Sequence, residues 1–160
     1  MSLIKTDAIQ TLAGKPILNS TGSVLQVVRT YVASSSVIES TSTSFVASGI
    51  TASITPKASG NLILIDCVLS MTDATTDNIW TKMYQLIAGG SYAVMAGAAD
   101  YQFGFQDSAR WTPSVFGGSY TATSTSQLTY QPYFRSAGGG NVRLVHDSSS
   151  YALTLTEIAQ

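Results

Sequence analysis

The stretch from Asn61 to Met71, NLILIDCVLSM, is the longest apolar run in the chain, set between Ser59-Gly60 and the polar residues Thr72 to Asn78. Ile63, Ile65, Cys67, Leu69 and Met71 fall on one side of a period-two strand. Leu62, Leu64 and Val68 fall on the other, interrupted by Asp66 and Ser70. The run is short, rich in β-branched residues and preceded by a turn signal, which favours a strand over a helix. Being apolar on both faces, it predicts a central strand covered on both sides.

The same alternation recurs along the chain. Val24 to Val32 predicts a first strand, and Ser34 to Ser44 a Ser/Thr-rich connection. Phe45-Val46 followed by Ile50, Ala52 and Ile54 predicts a second strand, with Gly49 as a bulge. After the central strand, Ile79 to Ile87 carries Met83, Gln85 and Ile87 on one side and Trp80, Tyr84 and Leu86 on the other. Gly89-Gly90 ends it, and Tyr92 to Met95 begins a hairpin partner. Ala96 to Thr125 mixes aromatics with Gly104, Pro113, Gly117 and Gly118, and predicts one or two short strands and a long loop. Leu128, Tyr130 and Phe134 mark a further strand, which Pro132 assigns to a sheet edge. Ala137 to Asn141 is a turn, and Val142 to His146 and Tyr151 to Ile158 close the chain as strands. Some eight short strands between turn signals, without a helix, predict an all-β protein: an antiparallel β-sandwich of jelly-roll type.

Residues 1–22 differ from this head domain, 23–160. Lys15-Pro16 and Asn19 to Gly22 break the leader, and its apolar residues Leu3, Ile4, Ile9, Leu12, Ile17 and Leu18 keep no steady period. A frayed tail is one reading. An extended arm that buries those residues on a partner surface is the other, since a solvated tail would not carry so many. About 20 extended residues reach on the order of 70 Å.

At 160 residues the chain has the length of one domain with a proper core. Charged residues are 11% and the formal net charge is −1; this composition argues against binding nucleic acid or an anionic membrane by charge. Ser and Thr supply roughly a quarter of the residues, so the surface is wetted by hydroxyls rather than ions, and low net charge removes a barrier to self-association. No run approaches the roughly 18 apolar residues of a membrane span, and the N-terminus lacks a signal-peptide core, which predicts synthesis in a cytoplasm. Cys67 is the single cysteine and predicts a buried small hydrophobe.

Candidate chemistry is sparse. His146 has Asp147 and Ser148 beside it, but neighbours on a strand point to opposite faces and no nucleophile-elbow motif is present. Asp73 and Asp77 lack the spacing and the glycine of a calcium loop. Asp66 interrupts the apolar run; if buried, it needs a partner. Glycoside cleavage requires two carboxylates, and no second one is placed beside Asp66. Gly138-Gly139-Gly140 precedes a strand, so it is a turn rather than a phosphate loop. No catalytic group, metal or cofactor is expected. Aromatics are dense in the second half, and Tyr101, Trp111, Tyr120 and Tyr133 are candidates for a receptor or subunit surface.

The leader Ile4-Lys5-Thr6-Asp7-Ala8-Ile9-Gln10, followed by Ala13-Gly14-Lys15-Pro16-Ile17-Leu18-Asn19-Ser20-Thr21-Gly22-Ser23-Val24-Leu25-Gln26-Val27-Val28, resembles the start of tail-fibre and head-fibre proteins of tailed bacteriophages, marine and cyanobacterial ones especially. Thr55-Pro56-Lys57, Asn61-Leu62-Ile63-Leu64, Phe116-Gly117-Gly118-Ser119-Tyr120 and Thr154-Leu155-Thr156-Glu157-Ile158-Ala159 are similar too. The resemblance implies a non-enzymatic virion protein. Ile4, Ile9, Leu12, Pro16, Ile17 and Leu18 would anchor the arm to other virion proteins, and a homotrimeric head would meet a host glycan or protein. The absence of a heptad stalk or a repetitive shaft departs from a long fibre and leaves a short knob or a capsid decoration. A stand-alone lectin-like or depolymerase module is the alternative.

Overall fold

The computed structural model describes residues 21–33, 37–73, 77–104, 112–144 and 150–160. The leader residues Ile4, Ile9, Leu12, Pro16, Ile17 and Leu18, together with Trp111 and His146, lie outside them. The strands are β1 (Val24–Ala33), β2 (Ile38–Ser40), β3 (Val46–Ala47), β4 (Ala52–Ile54), β5 (Leu62–Asp73), β6 (Asn78–Ile87), β7 (Ala93–Val94), β8 (Tyr101–Gly104), β9 (Thr112–Thr121), β10 (Leu128–Ser136), β11 (Val142–Leu144) and β12 (Ser150–Ile158).

Two antiparallel sheets result. The first has β1, β12, β5 and β9 side by side, with β11 and β2 continuing it beyond the end of β12. The second is centred on β10 and β6: β3 and β4 share the far edge of β10, and β7 and β8 share the far edge of β6. Taking β3 with β4 and β7 with β8 as two interrupted strands, and setting β2 and β11 aside, leaves eight, which change sheet at every step except from β6 to β7–β8, the double Greek-key order of a jelly roll. The short β2 and β11 pair with each other as an addition to it.

The core follows the period-two pattern. Ile63, Ile65, Cys67, Leu69 and Met71 of β5 are all at most 1% exposed, facing Ile79 and Met83 of β6 and Tyr130 and Phe134 of β10 across the sandwich. Cys67 is buried and free, and burial pushes its thiol far above the ordinary range.

Four expectations need correction. β5 is central in its sheet, but among the described residues only one of its faces is covered: Leu62 and Leu64 are half-buried, Asp66 and Val68 exposed. The Ser/Thr-rich connection contains β2, held by Arg143↔Glu39 pairing with β11. The long loop of the middle region is largely β9, a ten-residue strand running along β5 from Leu62↔Thr121 to Met71↔Thr112. Finally, β10 is internal rather than an edge strand, despite Pro132. The carbonyl of Pro132 accepts a hydrogen bond from Ser48 N, at the interruption between β3 and β4. Its missing N–H therefore points to a gap in the neighbouring strand, where no ladder bond is lost.

Asp77 fixes the turn after β10. Its carboxylate accepts bonds from Ser136 Oγ, from the backbone of Gly138 at 2.9 Å and Gly140 at 3.0 Å, and from Asn78 N at 2.7 Å. Gly139, at φ +91°, supplies the left-handed residue that lets those amides converge. Slight burial raises the Asp77 pKa, but the hydrogen bonds from Ser136, Gly138, Asn78 and Gly140 outweigh it and hold the pKa at about 2. A carboxyl lowered from an ordinary 3.8 contributes full stability above that value and loses it as pH falls toward 2. Thermal melts between pH 5 and pH 2 should therefore show a steeper fall for the native chain than for Asp77→Asn. Parallel curves would remove the carboxylate from the account.

Candidate functional site

The outer face of the second sheet carries a cluster of rings and cations. β6 turns Trp80, Lys82 and Tyr84 outward because Ile79, Thr81 and Met83 are claimed by the core. Opposite them β10 presents Tyr133 and Arg135, in the register Trp80↔Arg135 and Lys82↔Tyr133. Phe45, just before β3, leans over the pair. The Arg135 guanidinium lies 5.0 Å from the Trp80 ring and 5.4 Å from that of Phe45, and Lys82 Nζ is 5.4 Å from Phe45. Lys82 also forms an ion pair with Asp100. Beyond it Tyr84 stacks on Tyr133 at 3.8 Å between centroids, and Tyr92 tilts against Tyr133 at 6.2 Å. Burial, then the neighbouring Tyr133, raises the Tyr92 hydroxyl pKa, so this hydroxyl stays a donor. The result is a half-exposed strip of π faces and fixed cations, suited to sugar rings or to aromatic and acidic protein side chains.

Of the four aromatics singled out from the sequence, Trp111 lies outside the described residues and the other three are scattered. Tyr133 belongs to this strip. Tyr101 is half-buried on β8, packed against Phe116, and its hydroxyl donates to Gly117 O at 2.7 Å, joining the edges of the two sheets. Tyr120 is half-buried on β9; with Gln85, Ile87, Ala93 and Val94 it lines a shallow cleft of about 400 Å³. Trp80, Tyr84, Tyr92 and Phe45 were not singled out. Alternation on β6 was the available signal for Trp80 and Tyr84; nothing local marked Phe45 or Tyr92.

A second cleft, of about 520 Å³, opens at one end of the sandwich between Leu25, Lys57, Asn61 and Gln160. Beside it lies Glu157, 0% exposed. Both its oxygens are occupied by the protein: Oε1 accepts from Lys57 N at 2.7 Å and Asn61 Nδ2 at 2.6 Å, and Oε2 from Gln26 Nε2 at 2.5 Å. Burial raises its pKa, but these bonds outweigh that and hold it below the ordinary range. Such a carboxylate is a tie rather than a general base. The other described carboxylates are dispersed. Glu39 pairs with Arg143, Asp100 with Lys82, Asp77 holds its turn, and Asp66 stands on the outer face of β5. Among the described residues no three His, Cys, Asp or Glu gather as metal ligands, and no helix is long and apolar enough to cross a membrane.

The third feature is the outer face of the β1-β12-β5-β9 sheet. Among the described residues seven large hydrophobic side chains are exposed, and five of them lie on it: Val24, Val27, Tyr31, Val68 and Val115. Exposed apolar side chains gathered on one sheet face are the kind of surface that contact sites use.

No protein-family model matches the chain, and no curated protein is significantly similar to it in sequence. Solved structures do match. The infectious bursal disease virus VP2 subviral particle superposes with a TM-score of 0.51 at 12% identity, over 96% of this chain and 43% of the VP2 chain. Structures of the Gx and Gt strains of that virus superpose with TM-scores of 0.51 at 10% and 11% identity, over 98% and 96% of this chain. The chain thus spans less than half the length of these proteins, and at such identities the likeness is one of fold.

Proposed function

We propose that this protein is a non-enzymatic structural subunit of a virus particle. The observation that carries the reading is the apolar outer face of the first sheet, which among the described residues gathers five of the seven exposed large hydrophobics. An isolated soluble domain gains nothing from such a face, whereas an assembled subunit buries it. A jelly roll shared nearly end to end with a virus-particle protein, and a leader similar to those of phage fibre proteins, support it. In this reading residues 1–22 anchor the head to other virion proteins, and the head is a short tail knob or a capsid decoration. Deleting residues 2–22 should leave a folded head that no longer sediments with particles; normal incorporation of the shortened chain would overturn the anchoring role.

The aromatic strip of Trp80, Tyr84, Tyr133 and Arg135 favours a second element, attachment to a host glycan or protein. Each exposed ring on such a surface contributes on the order of 1 kcal/mol. Trp80→Ala with Tyr133→Ala should weaken adsorption to host cells roughly thirtyfold, with circular dichroism unchanged. Shortening of host polysaccharide by the purified protein would instead identify a depolymerase.

A further inference from the structure

We infer that the outer face of the β1-β12-β5-β9 sheet seats a second copy of this chain, related by a twofold axis, with β12 stacked on β12. The register carries the argument. Four rows cross β1, β12 and β5: Val24–Ile158–Leu62, Val27–Thr156–Leu64, Arg29–Thr154–Asp66 and Tyr31–Ala152–Val68. Arg29 and Asp66 are the two charged side chains on this part of the sheet; both are exposed, in one row, with Thr154 between them. Strands about 4.8 Å apart place them about 10 Å from each other within a copy. Arg29 rests over its own neighbour Tyr31, 5.8 Å from the ring centroid.

A half-turn about a line parallel to β12, lying between two such faces, carries β1 of one copy over β5 of the other. Arg29 then opposes Asp66 of the second copy, twice by symmetry. In the same operation Val27 opposes Leu64, Tyr31 opposes Val68 and Val24 opposes Leu62. Apolar rows meet apolar rows, and the one cation meets the one anion. Packed sheets lie about 10 Å apart, a gap that an extended arginine and a short aspartate bridge. Aligned sheets cross at about 30°, and the charged pair lies close to the centre of that rotation, at Thr154, so it is displaced least.

A threefold ring suits the surface less well. It is a heterologous contact and needs two different complementary patches. Among the described residues the other exposed large hydrophobics are Ile87 and Val94, on the second sheet. One self-complementary patch used twice is an isologous contact. The inference stands whether or not the chain is a particle subunit.

The experiment is light scattering and sedimentation equilibrium of the full chain and of charge variants. The native chain should have twice the 16.8 kDa mass. Arg29→Asp and Asp66→Arg each place like charges across the axis and should weaken dimerisation at least roughly tenfold; the double exchange should restore it to within about threefold. Thr154→Arg, which places two cations at the axis, should abolish the dimer and decides the matter alone if a charge variant fails to fold. A native monomer or trimer at about 100 µM overturns the inference, as does a double exchange that restores nothing. A full chain that is monomeric but dimerises once residues 2–20 are removed places the leader on the face, and overturns it equally.

Discussion

Glu157→Ala is expected to destabilise the fold by about 4 kcal/mol, the largest effect of any polar substitution among the described residues. The carboxylate is fully buried and ties its strand to two segments that are remote in sequence: β1 through Gln26, and the β4–β5 turn through Lys57 N and Asn61. Removing it takes the acceptor from one N–H of each of two side-chain amides and from a backbone N–H, although Gln26 Nε2 keeps its bond to Thr55 O. An unsatisfied buried donor costs about 1–3 kcal/mol, and three donors lose this acceptor together. Glu157→Gln keeps the volume but presents an NH₂ to groups that are already donors, so it should recover less than half of the loss. The pKa gives a second signature. The folded carboxyl lies below its ordinary 4.5, so its contribution is complete above that value and is lost on acidification. The gap between native chain and Glu157→Ala in urea melts should be full at pH 7 and narrow as pH falls below 4.5. A loss under about 1 kcal/mol at pH 7 would mean that water replaces the carboxylate at the end of the sandwich.

That tie also marks the boundary of what was legible in the sequence. Alternation placed β1, β5, β6 and β12 within two residues, because each has a core face filled by large apolar side chains and a polar or mixed face opposite. It also revealed the sandwich. Glu157 was invisible: in YALTLTEI it occupies an inward position with the parity of Leu153 and Leu155, yet a carboxylate there resembles a strand end meeting solvent. Only the fold brings Gln26 and Asn61 to it. β9 was obscured by Pro113 and Gly117-Gly118, whose usual meaning is a loop; tertiary pairing along the whole of β5 overrides that local preference. Pro132 misled for the same reason, since an interrupted neighbour is a three-dimensional fact. The outer face of β5 was misjudged because sequence cannot distinguish burial beneath another layer from burial beneath another molecule. Leu62, Leu64 and Val68 satisfy the pattern of a doubly covered strand, and within one chain nothing described covers them.

Gly117→Ala should be the most damaging single-methyl addition, at about 3 kcal/mol, although glycine within a strand ordinarily gains stability when replaced. The reason lies in how β9 meets β5. Gly117 is paired with Asp66, and a β-carbon built on it would lie 1.9 Å from the carbonyl oxygen of Ile65 and 3.0 Å from its carbon. Those are backbone atoms of the central strand, held on the other edge by β12 through Leu155↔Ile65 and Thr154↔Asp66. β5 cannot withdraw, so β9 must. Doing so strains the ladder at its middle and pulls the Gly117 carbonyl from the Tyr101 hydroxyl that links the sheet edges. Overpacking costs about 1–3 kcal/mol and the lost hydrogen bond about 1. Gly118 supplies the control. A β-carbon there would meet Met95 Cε at 2.8 Å, the far end of a flexible side chain, so Gly118→Ala should cost under about 1 kcal/mol as the thioether turns aside. Denaturant midpoints of the two variants, one residue apart, separate the close approach of two backbones from a general preference for glycine. Equal midpoints would remove the steric account. A large shift for Gly117 alone would locate the constraint at the crossing of β9 and β5, next to Asp66 and beneath the face assigned to the second copy.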